Sequence, residues 1–379
     1  MLDDDLMRRA IELAIRGRGT VEPNPMVGCV LAKNGEIAGE GHHEIFGGAH
    51  AEVNALAKCS DPGGATAYVS LEPCTAYPGK KTGSCAAALI AAKVGRVVVA
   101  CEDPNPSVAG HGITDLRNAG IQVDLGPLEL EAKQLNAAFF KRTQLGRPYV
   151  TLKWAQTADG KIAGPGGRRL AISNSASLAV MHQLRSRCDA IVVGIGTVIS
   201  DDPLLAVRVT DSPRVPVRVV LDSQLRIGMD RQLVKTAKQL PLLIFCGEAA
   251  RKKKREHVLA LNAAGVEVMA LPLDRRDRVS LDDVLRELNR RHMSHLFVEP
   301  GAELALSFLR GNFADRIWIT KSPKRVDAGD APEALPVNFP VSARFKFDGD
   351  EFTEHLNPQS PVFFSVQMSA DLELISRSG

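Results

Sequence analysis

Four residues in the first quarter of the chain have the types and spacing that metal-dependent hydrolysis needs. His50 and Glu52 stand two positions apart, and Cys74, directly after Pro73, and Cys85 follow them. Two thiolates and one imidazole are ligands that zinc prefers, and three protein ligands leave one tetrahedral position for a water. A nearby carboxylate could take the proton of that water and deliver it to a departing amino group. The pattern therefore predicts a catalytic zinc site with its own proton shuttle.

The surrounding sequence predicts how these four residues are positioned. Cys74 would follow a strand and Cys85 would open a helix, whose N-terminus favours a thiolate. The turn pair Asn34-Gly35 predicts a hairpin between two strands. From periodicity we predict helices over about 4–16, 50–58 and 85–93, and strands over 26–33, 36–42, 66–71 and 96–101. Alternating strands and helices indicate a layered α/β domain.

A chain of 379 residues exceeds what one core usually supports, so we expect two domains. The glycine and proline passage at 145–148 is the natural boundary, which gives domains 1–146 and 147–379. The second half predicts another α/β domain with many parallel strands. Its strands are expected over 149–155, 190–193, 217–221, 240–245, 266–271, 296–299, 316–320 and 362–368, and its helices over 176–186, 254–264, 281–291 and 303–309.

Bulk composition excludes several classes of protein. A hydrophobic content of 45%, charged residues at 24% and a net charge of +3 are typical of a globular enzyme and too weakly basic for nonspecific nucleic-acid binding. No apolar run approaches the roughly 20 residues of a membrane span. The acidic start and the seven scattered cysteines predict no signal peptide and a reducing, cytoplasmic location. The basic run 251–255 is interpreted as a solvated helix start rather than an RNA-binding patch.

Three further motifs carry a family resemblance: Pro23-Asn24-Pro25-Met26-Val27-Gly28, Leu71-Glu72-Pro73-Cys74 and Asp103-Pro104-Asn105-Pro106. With the long spacing between the two cysteines, they make the chain resemble the cytidine deaminase superfamily and, within it, the bifunctional riboflavin biosynthesis deaminases/reductases. The resemblance implies Zn²⁺ held by His50, Cys74 and Cys85, with Glu52 moving the proton. It also implies substrate contacts from Asn24 and Lys81.

One departure from the family lies in the metal loop, where Thr75-Ala76 and Gly83-Ser84 replace the usual residues and two extra residues are present. This changes the loop's expected contacts to substrate. His42 and His43 are candidates for either the pocket wall or an exposed hairpin end, and the sequence does not separate the two.

The second half contains Gly194-Ile195-Gly196, which is not a dinucleotide fingerprint, because a third glycine is missing and a loop rather than a helix is expected to follow. Instead this half resembles the reductase domain of the same family, whose fold is like dihydrofolate reductase. The matching segments are Leu152–Ala155, Asp159–Lys161, His182–Arg185, Gly194–Pro203 with Arg208, and Val217–Ser223.

From that resemblance NADPH is expected near Ala155, Thr197, Asp201 and Gly301, and substrate contacts are expected from Arg185, Leu205, Arg208 and Glu299. Arginines suit a phosphorylated sugar because a guanidinium binds phosphate in a bidentate manner. The chain departs from the family at Arg169, Ala171 and Pro300. Proline has no N–H, so the loop before Gly301 offers one donor fewer to a pyrophosphate.

The resulting hypothesis is a homo-oligomeric enzyme of riboflavin biosynthesis. It would deaminate 2,5-diamino-6-(5-phosphoribosylamino)pyrimidin-4(3H)-one with zinc and then reduce the ribosyl side chain to ribityl with NADPH. Neither nucleic acid nor membrane is expected as a partner. Two alternatives are a deaminase whose degenerate reductase domain is a scaffold and, more remotely, an RNA-editing deaminase.

Overall fold

The structure is a computed structural model that describes residues 2–76, 83–209, 212 and 214–363. Within this part the chain forms two compact units, the first ending at Leu145 and the second beginning at Gly146. None of the helices in the described ranges combines the length and the apolar character needed to cross a bilayer.

The first unit is built on a five-stranded sheet in the order β2-β1-β3-β4-β5, in which β3, β4 and β5 run parallel and β1 is antiparallel to both of its neighbours. Its strands are β1 (Gly28–Lys33), β2 (Glu36–His42), β3 (Thr66–Val69), β4 (Arg96–Val99) and β5 (Gln122–Leu125). Its helices are α1 (Asp3–Ile15), α2 (Ala51–Leu56), α3 (Cys85–Ala91), α4 (His111–Asn118), α5 (Glu129–Leu135) and α6 (Ala137–Leu145).

Alternation along β1 explains why this unit has three layers. Cys29 and Leu31 belong to the apolar core that α2, α3 and α4 cover. Gly28 faces the opposite side, where a Cβ would lie 1.9 Å from the Ala10 carbonyl oxygen of α1. Successive strand residues point to opposite faces, so one strand supports helices on both sides of the sheet.

The predicted hairpin is confirmed between β1 and β2. Asn34 and Gly35 have φ values of 54° and 82°, the left-handed pair that a two-residue type I′ turn requires. The elements from α4 to α6, including β5, were not predicted from the sequence.

The second unit is built on a nine-stranded sheet in the order β10-β9-β8-β7-β11-β6-β12-β14-β13, parallel from β10 to β12. Its strands are β6 (Tyr149–Gln156), β7 (Ala190–Gly194), β8 (Val217–Leu221), β9 (Leu242–Gly247), β10 (Val266–Leu271), β11 (His295–Val298), β12 (Arg316–Lys321), β13 (Val341–Phe347) and β14 (Asp350–Leu356). Its helices are α7 (Ser175–Arg185), α8 (Ile195–Asp201), α9 (Gln232–Lys235), α10 (Glu248–Lys253), α11 (Arg255–Ala263), α12 (Leu281–Arg290) and α13 (Ala302–Arg310).

The loop expected after Gly196 was wrong. Helix α8 follows β7 directly, with Gly194 as its N-cap, and it ends where Asp202 takes a left-handed conformation before Pro203. The β-branched residues of this segment disfavour a helix locally, but burial of Ile195 and Val198 in the core outweighs that preference.

Two further differences concern the end of the chain. The hairpin of β13 and β14 was not predicted, and the strand expected over 362–368 is not observed at Val362, which lies in a turn. Residues 364–368 are outside the described residues.

The helix expected over 254–264 begins earlier as α10 and is interrupted at Lys254.

Candidate functional site

His50 and Glu52 are positioned by the N-terminus of α2. His50 is the N-cap in an extended conformation, and Glu52 lies in the first turn with a side chain only 2% exposed. The helix lies close against β2 because Gly41 has no side chain, since a Cβ there would come within 2.4 Å of the Ala55 nitrogen. This close packing places the imidazole and the carboxylate on the same side of the unit.

The two cysteines come from a loop after β3 and from the first residue of α3. Ser84 caps α3, accepting a hydrogen bond from the Ala87 N–H, and its hydroxyl donates to the Cys74 carbonyl at 3.2 Å. The Ala86 N–H donates to the same carbonyl. The helix N-terminus therefore fixes the backbone of Cys74 as well as that of Cys85.

The three predicted ligands converge. His50 Nδ1 lies 3.4 Å from Cys74 Sγ and 3.3 Å from Cys85 Sγ, and the three ligand atoms lie within 4.8 Å of one another. Tetrahedral zinc with bonds of about 2.0 Å to nitrogen and 2.3 Å to sulfur would separate these atoms by roughly 3.6 Å. The residues therefore fit a Zn²⁺ ion that keeps one coordination position open.

Glu52 is close enough to these ligands to exchange protons in their vicinity. Burial raises the pKa of Glu52 to about 7, and the Cys74 sulfur beside it acts in the same direction. A cation held by the three ligands would favour the carboxylate and lower this pKa again. A carboxyl group with its pKa near neutrality can both accept and release a proton.

The loop that carries Cys74 is attached to α4 through Glu72. The Glu72 carboxylate accepts hydrogen bonds from the N–H groups of Asp103, Gly110, Gly112 and Ile113 at 3.0–3.3 Å. A Cβ on Gly112 would lie 1.8 Å from the Pro73 carbonyl oxygen, so only glycine permits this approach. Sequence reasoning used the Glu72 motif for recognition but did not predict this positioning role.

Asn24 is connected to this site by His43, which contacts both Asn24 and His50. The Asn24 side-chain nitrogen is 3.2 Å from His43 Nε2, and the His43 ring contacts the His50 ring edge-on with centroids 5.1 Å apart. His43 is only 3% exposed, which contradicts the exposed hairpin end, and burial keeps its pKa below the usual value. His42 is half-buried. Lys81 lies outside the described residues.

A second site occupies the carboxyl ends of the parallel strands in the second unit, where ligands of open α/β sheets bind. A cavity of about 1520 Å³ opens there. It is lined by six of the residues expected at the reductase site: Ala155, Thr197, Asp201, Gly301, Arg185 and Glu299. Leu205 and Arg208 are not among its lining residues, and Leu205 is buried in the core below α8.

A bidentate ion pair forms the charged part of this cavity. Arg185 Nε donates to Glu299 Oε1 at 2.5 Å, and a terminal nitrogen donates to Oε2 at 2.7 Å. Although burial opposes ionisation of Glu299, the guanidinium holds the pKa of Glu299 below its usual value. Beside them burial lowers the pKa of Lys153 to about 8.

Lys153 lies in the matching segment Leu152–Ala155, and the sequence analysis predicts no role for it. A signal for it was present in the sequence, because a lysine in the middle of a mostly apolar strand must reach a polar partner or a cavity. The departures at Arg169, Ala171 and Pro300 also line the cavity. The Lys324 ammonium donates to the Ala171 carbonyl at 2.7 Å, which holds that segment at the cavity wall.

Comparison with protein families gives one match in each half of the chain. Residues 1–101 match the cytidine and deoxycytidylate deaminase zinc-binding region, and residues 148–342 match the RibD C-terminal domain. The chain is 41% identical over 329 residues to the riboflavin biosynthesis protein RibD of Aquifex aeolicus, with 86% of this chain and 89% of that protein covered. It is 37% identical to RibD of Escherichia coli, with 86% and 88% covered.

Solved structures give the same result over nearly the whole chain. RibD of Acinetobacter baumannii superposes with a TM-score of 0.82 at 33% identity, covering 94% of this chain and 99% of that one. A Thermotoga maritima diaminohydroxyphosphoribosylaminopyrimidine deaminase/5-amino-6-(5-phosphoribosylamino)uracil reductase superposes with a TM-score of 0.80 at 33% identity, covering 93% and 98%. The chain therefore belongs to the RibD family of bifunctional riboflavin biosynthesis enzymes, which join a zinc-dependent deaminase to a reductase.

Proposed function

We propose that this chain deaminates 2,5-diamino-6-(5-phosphoribosylamino)pyrimidin-4(3H)-one and then reduces the ribosyl side chain of the product to ribityl. The observation that carries the first step is the convergence of His50, Cys74 and Cys85 around one point, with the buried Glu52 beside them. The RibD relatives support the assignment of both steps to one chain.

In the first step His50, Cys74 and Cys85 hold Zn²⁺, which when bound supplies the Lewis acidity that makes water nucleophilic near neutral pH. Glu52 takes a proton from the attacking water and gives one to the amino nitrogen of the pyrimidine. A C–O bond forms and the C–N bond breaks, so ammonia leaves. Glu52 finishes in its initial protonation state.

We propose that Asn24 orients the substrate in this step. The buried His43 ring, which lies between Asn24 and His50, supports this role. The His43 Nδ1 lies 2.9 Å from the Ala49 carbonyl oxygen, so that nitrogen carries the proton and Nε2 is left as an acceptor for the Asn24 amide. This bond directs the Asn24 amide oxygen away from His43. Lys81 is proposed to meet the substrate phosphate.

In the second step NADPH, when bound, supplies the hydride that opens the ribosyl ring to a ribityl chain. We assign its binding to Ala155, Thr197, Asp201 and Gly301. Thr197 and Gly301 are close neighbours, because a Cβ on Gly301 would lie 3.9 Å from Thr197 Oγ1. The α13 N-terminus at Gly301 is suited to a pyrophosphate.

Substrate binding in the second step is proposed for Arg185, Leu205, Arg208 and Glu299. Arg185 and Glu299 are supported by their place in the cavity. Leu205 and Arg208 belong to the segment after α8, and Arg208 acts electrostatically on His182 of the same helix as Arg185.

We further propose that residues 1–146 carry the deaminase and residues 147–379 the reductase. The enzyme is proposed to be a cytoplasmic homo-oligomer with no nucleic-acid or membrane partner. The seven scattered cysteines support a reducing location, and the small net charge supports the absence of a nucleic-acid partner. The comparisons do not favour the scaffold alternative or the RNA-editing alternative.

Purified zinc-loaded protein given the diaminopyrimidine and NADPH tests this function. We expect ammonia release without NADPH, and NADPH oxidation only after deaminated product has formed. Ammonia release followed by no NADPH oxidation would contradict the reductase step. An absence of ammonia release from zinc-loaded protein would contradict the deaminase step.

A further inference from the structure

Arg218, the second residue of β8, is an arginine only 1% exposed whose hydrogen-bond partners are all uncharged. All five N–H groups of its guanidinium donate to oxygen atoms. The acceptors are the Thr236 hydroxyl and the backbone carbonyls of Leu204, Leu233, Leu240 and Pro241. Burial lowers the pKa of Arg218 to about 10. A buried charge is costly, and an apolar side chain of similar volume would fill this space at a lower cost. What distinguishes arginine at this position is therefore the set of oxygen atoms that it joins.

Four of these five acceptors belong to one short stretch of chain, residues 233–241. The Leu233 carbonyl, at 3.1 Å, and the Thr236 hydroxyl, at 2.8 Å, lie at the C-terminal end of α9. Leu240 and Pro241 come directly before β9. The last carbonyls of a helix have no partner within the helix, and a nearby arginine can satisfy them. These four bonds give Arg218 a local structural role.

The fifth acceptor lies in a different segment, residues 202–208 after α8. The Leu204 carbonyl accepts from a terminal nitrogen of Arg218 at 3.2 Å. Two residues earlier, the Asp202 carboxylate accepts from the Gln232 N–H at 2.9 Å, and the Asp202 carbonyl accepts from the Gln232 side chain at 3.0 Å. The 202–208 segment is thus attached to both ends of α9, and at the C-terminal end Arg218 makes the attachment.

Two residues of this segment have backbone conformations that residues other than glycine seldom adopt. Asp202 has a φ of 41° and Leu205 a φ of 52°, both in the left-handed region. For a bulky residue such as Leu205 a positive φ is a genuine outlier. Strained backbone persists where neighbouring groups hold it, and it is concentrated at functional sites. The Leu204 carbonyl lies between the two strained residues, so Arg218 fixes the segment between its two strained points.

Beyond Leu204 the segment offers unused hydrogen-bond donors. Within the ranges that the structure describes, the backbone N–H groups of residues 205–208 donate to no other group of the protein. Backbone N–H groups in a partly buried segment are usually paired, so a bound ligand is one way to satisfy these four. Arg208, at the end of this row, has an exposed side chain.

The same segment lies close to α7, which carries Arg185. Burial lowers the pKa of His182, the charges of Arg185 and Arg208 add to this lowering, and the Ala206 backbone acts against it. His182 precedes Arg185 by three residues, so both side chains lie on one face of α7. The guanidinium groups of Arg185 and Arg208 therefore lie near one imidazole, in a region with several donors for a phosphorylated sugar.

We propose that Arg218 is a positioning residue of the reductase, whose hydrogen bond to the Leu204 carbonyl holds residues 205–208 in the conformation that presents Arg208 and the free N–H groups to the phosphorylated substrate. This inference rests on the reduction proposed above. Arg218 is buried, so it acts through the 202–208 segment and does not contact the substrate itself. Its loss should therefore affect the KM for the substrate rather than kcat or the KM for NADPH.

Steady-state NADPH oxidation, started with deaminated product and measured on the full-length zinc-loaded protein, tests this role. R218M removes all five donors and keeps an unbranched side chain, whereas R218K keeps the charge with three donors. The control is L261A, because Leu261 is fully buried in a core of the same unit, on α11, and is not one of the Arg218 acceptors. Denaturant unfolding is measured on each preparation.

We expect R218M to raise the substrate KM roughly tenfold to a hundredfold, the range for loss of a hydrogen bond to a charged group, with kcat and the KM for NADPH unchanged. R218K should raise the substrate KM less, because its ammonium still reaches some of the carbonyls. L261A should be less stable than the wild type, because it creates a cavity, and should keep the wild-type substrate KM.

A destabilised R218M with the wild-type substrate KM would reduce Arg218 to a structural role and overturn the proposal. A raised KM for NADPH with an unchanged substrate KM would also overturn it, and so would an equal rise of the substrate KM in L261A. If R218M does not fold, R218K decides, and an unchanged substrate KM in R218K would overturn the proposal. A wild-type protein that does not oxidise NADPH with deaminated product would refute the reductase function itself, and this role of Arg218 with it.

Discussion

At the scale of single residues, the first prediction concerns Glu52. Its carboxyl group is buried beside the thiols, where burial raises the pKa toward neutrality. E52Q keeps the shape of the side chain but removes the proton-carrying oxygen. We expect ammonia release to fall by at least roughly a hundredfold, the usual contribution of general acid–base catalysis, while bound zinc is retained.

Ammonia release and zinc content measured on the same preparation check this prediction. Glu44 is an exposed glutamate in the same unit, so E44Q is the matched control and should leave both quantities unchanged. Unchanged turnover in E52Q would refute the proton-shuttle role, and loss of zinc together with activity would indicate a structural effect.

Zinc binding provides the second prediction at this scale. C85S removes one of the three ligands, so bound zinc should drop far below about one ion per chain, because an alcohol is a poor zinc ligand. C59S is the control, since Cys59 is a buried cysteine of the same unit outside the ligand group. Metal analysis after dialysis distinguishes the two variants, and full zinc content in C85S would contradict the ligand assignment.

Lys153 makes the reductase step sensitive to alkaline pH. Burial lowers its pKa to about 8, against the attraction of Glu299, while Arg185 adds to the lowering. Because the pKa is lowered, the ammonium is present at neutral pH and is lost as pH rises through 8, well before an ordinary lysine. We expect kcat/KM of the reduction to decline above about pH 8.

The pH profile of NADPH oxidation, started with deaminated product, checks this prediction. K153M should be slow at all pH values and should show no such decline. K321M is the control, because Lys321 is an exposed lysine on the neighbouring strand β12. An unaltered alkaline limb in K153M would assign that limb to another group.

At the scale of elements, the deaminase site depends on α4 packing against the loop of Cys74. A methyl group on Gly112 would meet the Pro73 carbonyl oxygen, so G112A must displace that loop. We expect a loss of about 1–3 kcal/mol in the free energy of unfolding, the usual range for overpacking, together with weaker zinc binding. Gly83 has open space around its Cβ position, so G83A is the control.

Denaturant unfolding followed by zinc titration measures both effects. A G112A protein as stable as G83A would show that the loop and α4 are not tightly coupled. Normal zinc affinity in a destabilised G112A would show that the coupling does not reach the ligands.

Elements differed in how well local sequence predicted them. The Asn34-Gly35 hairpin was predicted because its turn needs two residues with positive φ, a demand that a dipeptide satisfies by itself. Helix α8 was missed because Ile195 and Val198 are held in a helix by burial in the core, which no local pattern reveals. The β13–β14 hairpin was missed although Asp348 and Gly349, with φ values of 46° and 92°, form the same kind of two-residue turn.

At the scale of the whole molecule, the two compact units should respond separately to their ligands. Ligands that bind only the folded state raise stability by mass action. We therefore expect removal of zinc by chelation to lower the melting temperature of one thermal transition, and NADPH to raise that of the other. Scanning calorimetry of the full chain checks this, and one transition moved by both treatments would contradict independent units.

The sequence by itself predicted the three zinc ligands, the proton-carrying glutamate and two α/β parts, because these predictions depend on residue type, spacing and periodicity. Only the tertiary structure showed that His43 separates Asn24 from His50, that Glu72 and Gly112 position Cys74, and that Arg185 is paired with Glu299. These contacts join residues far apart in the chain, and their distances are set by the order of strands in a sheet, which local composition does not encode.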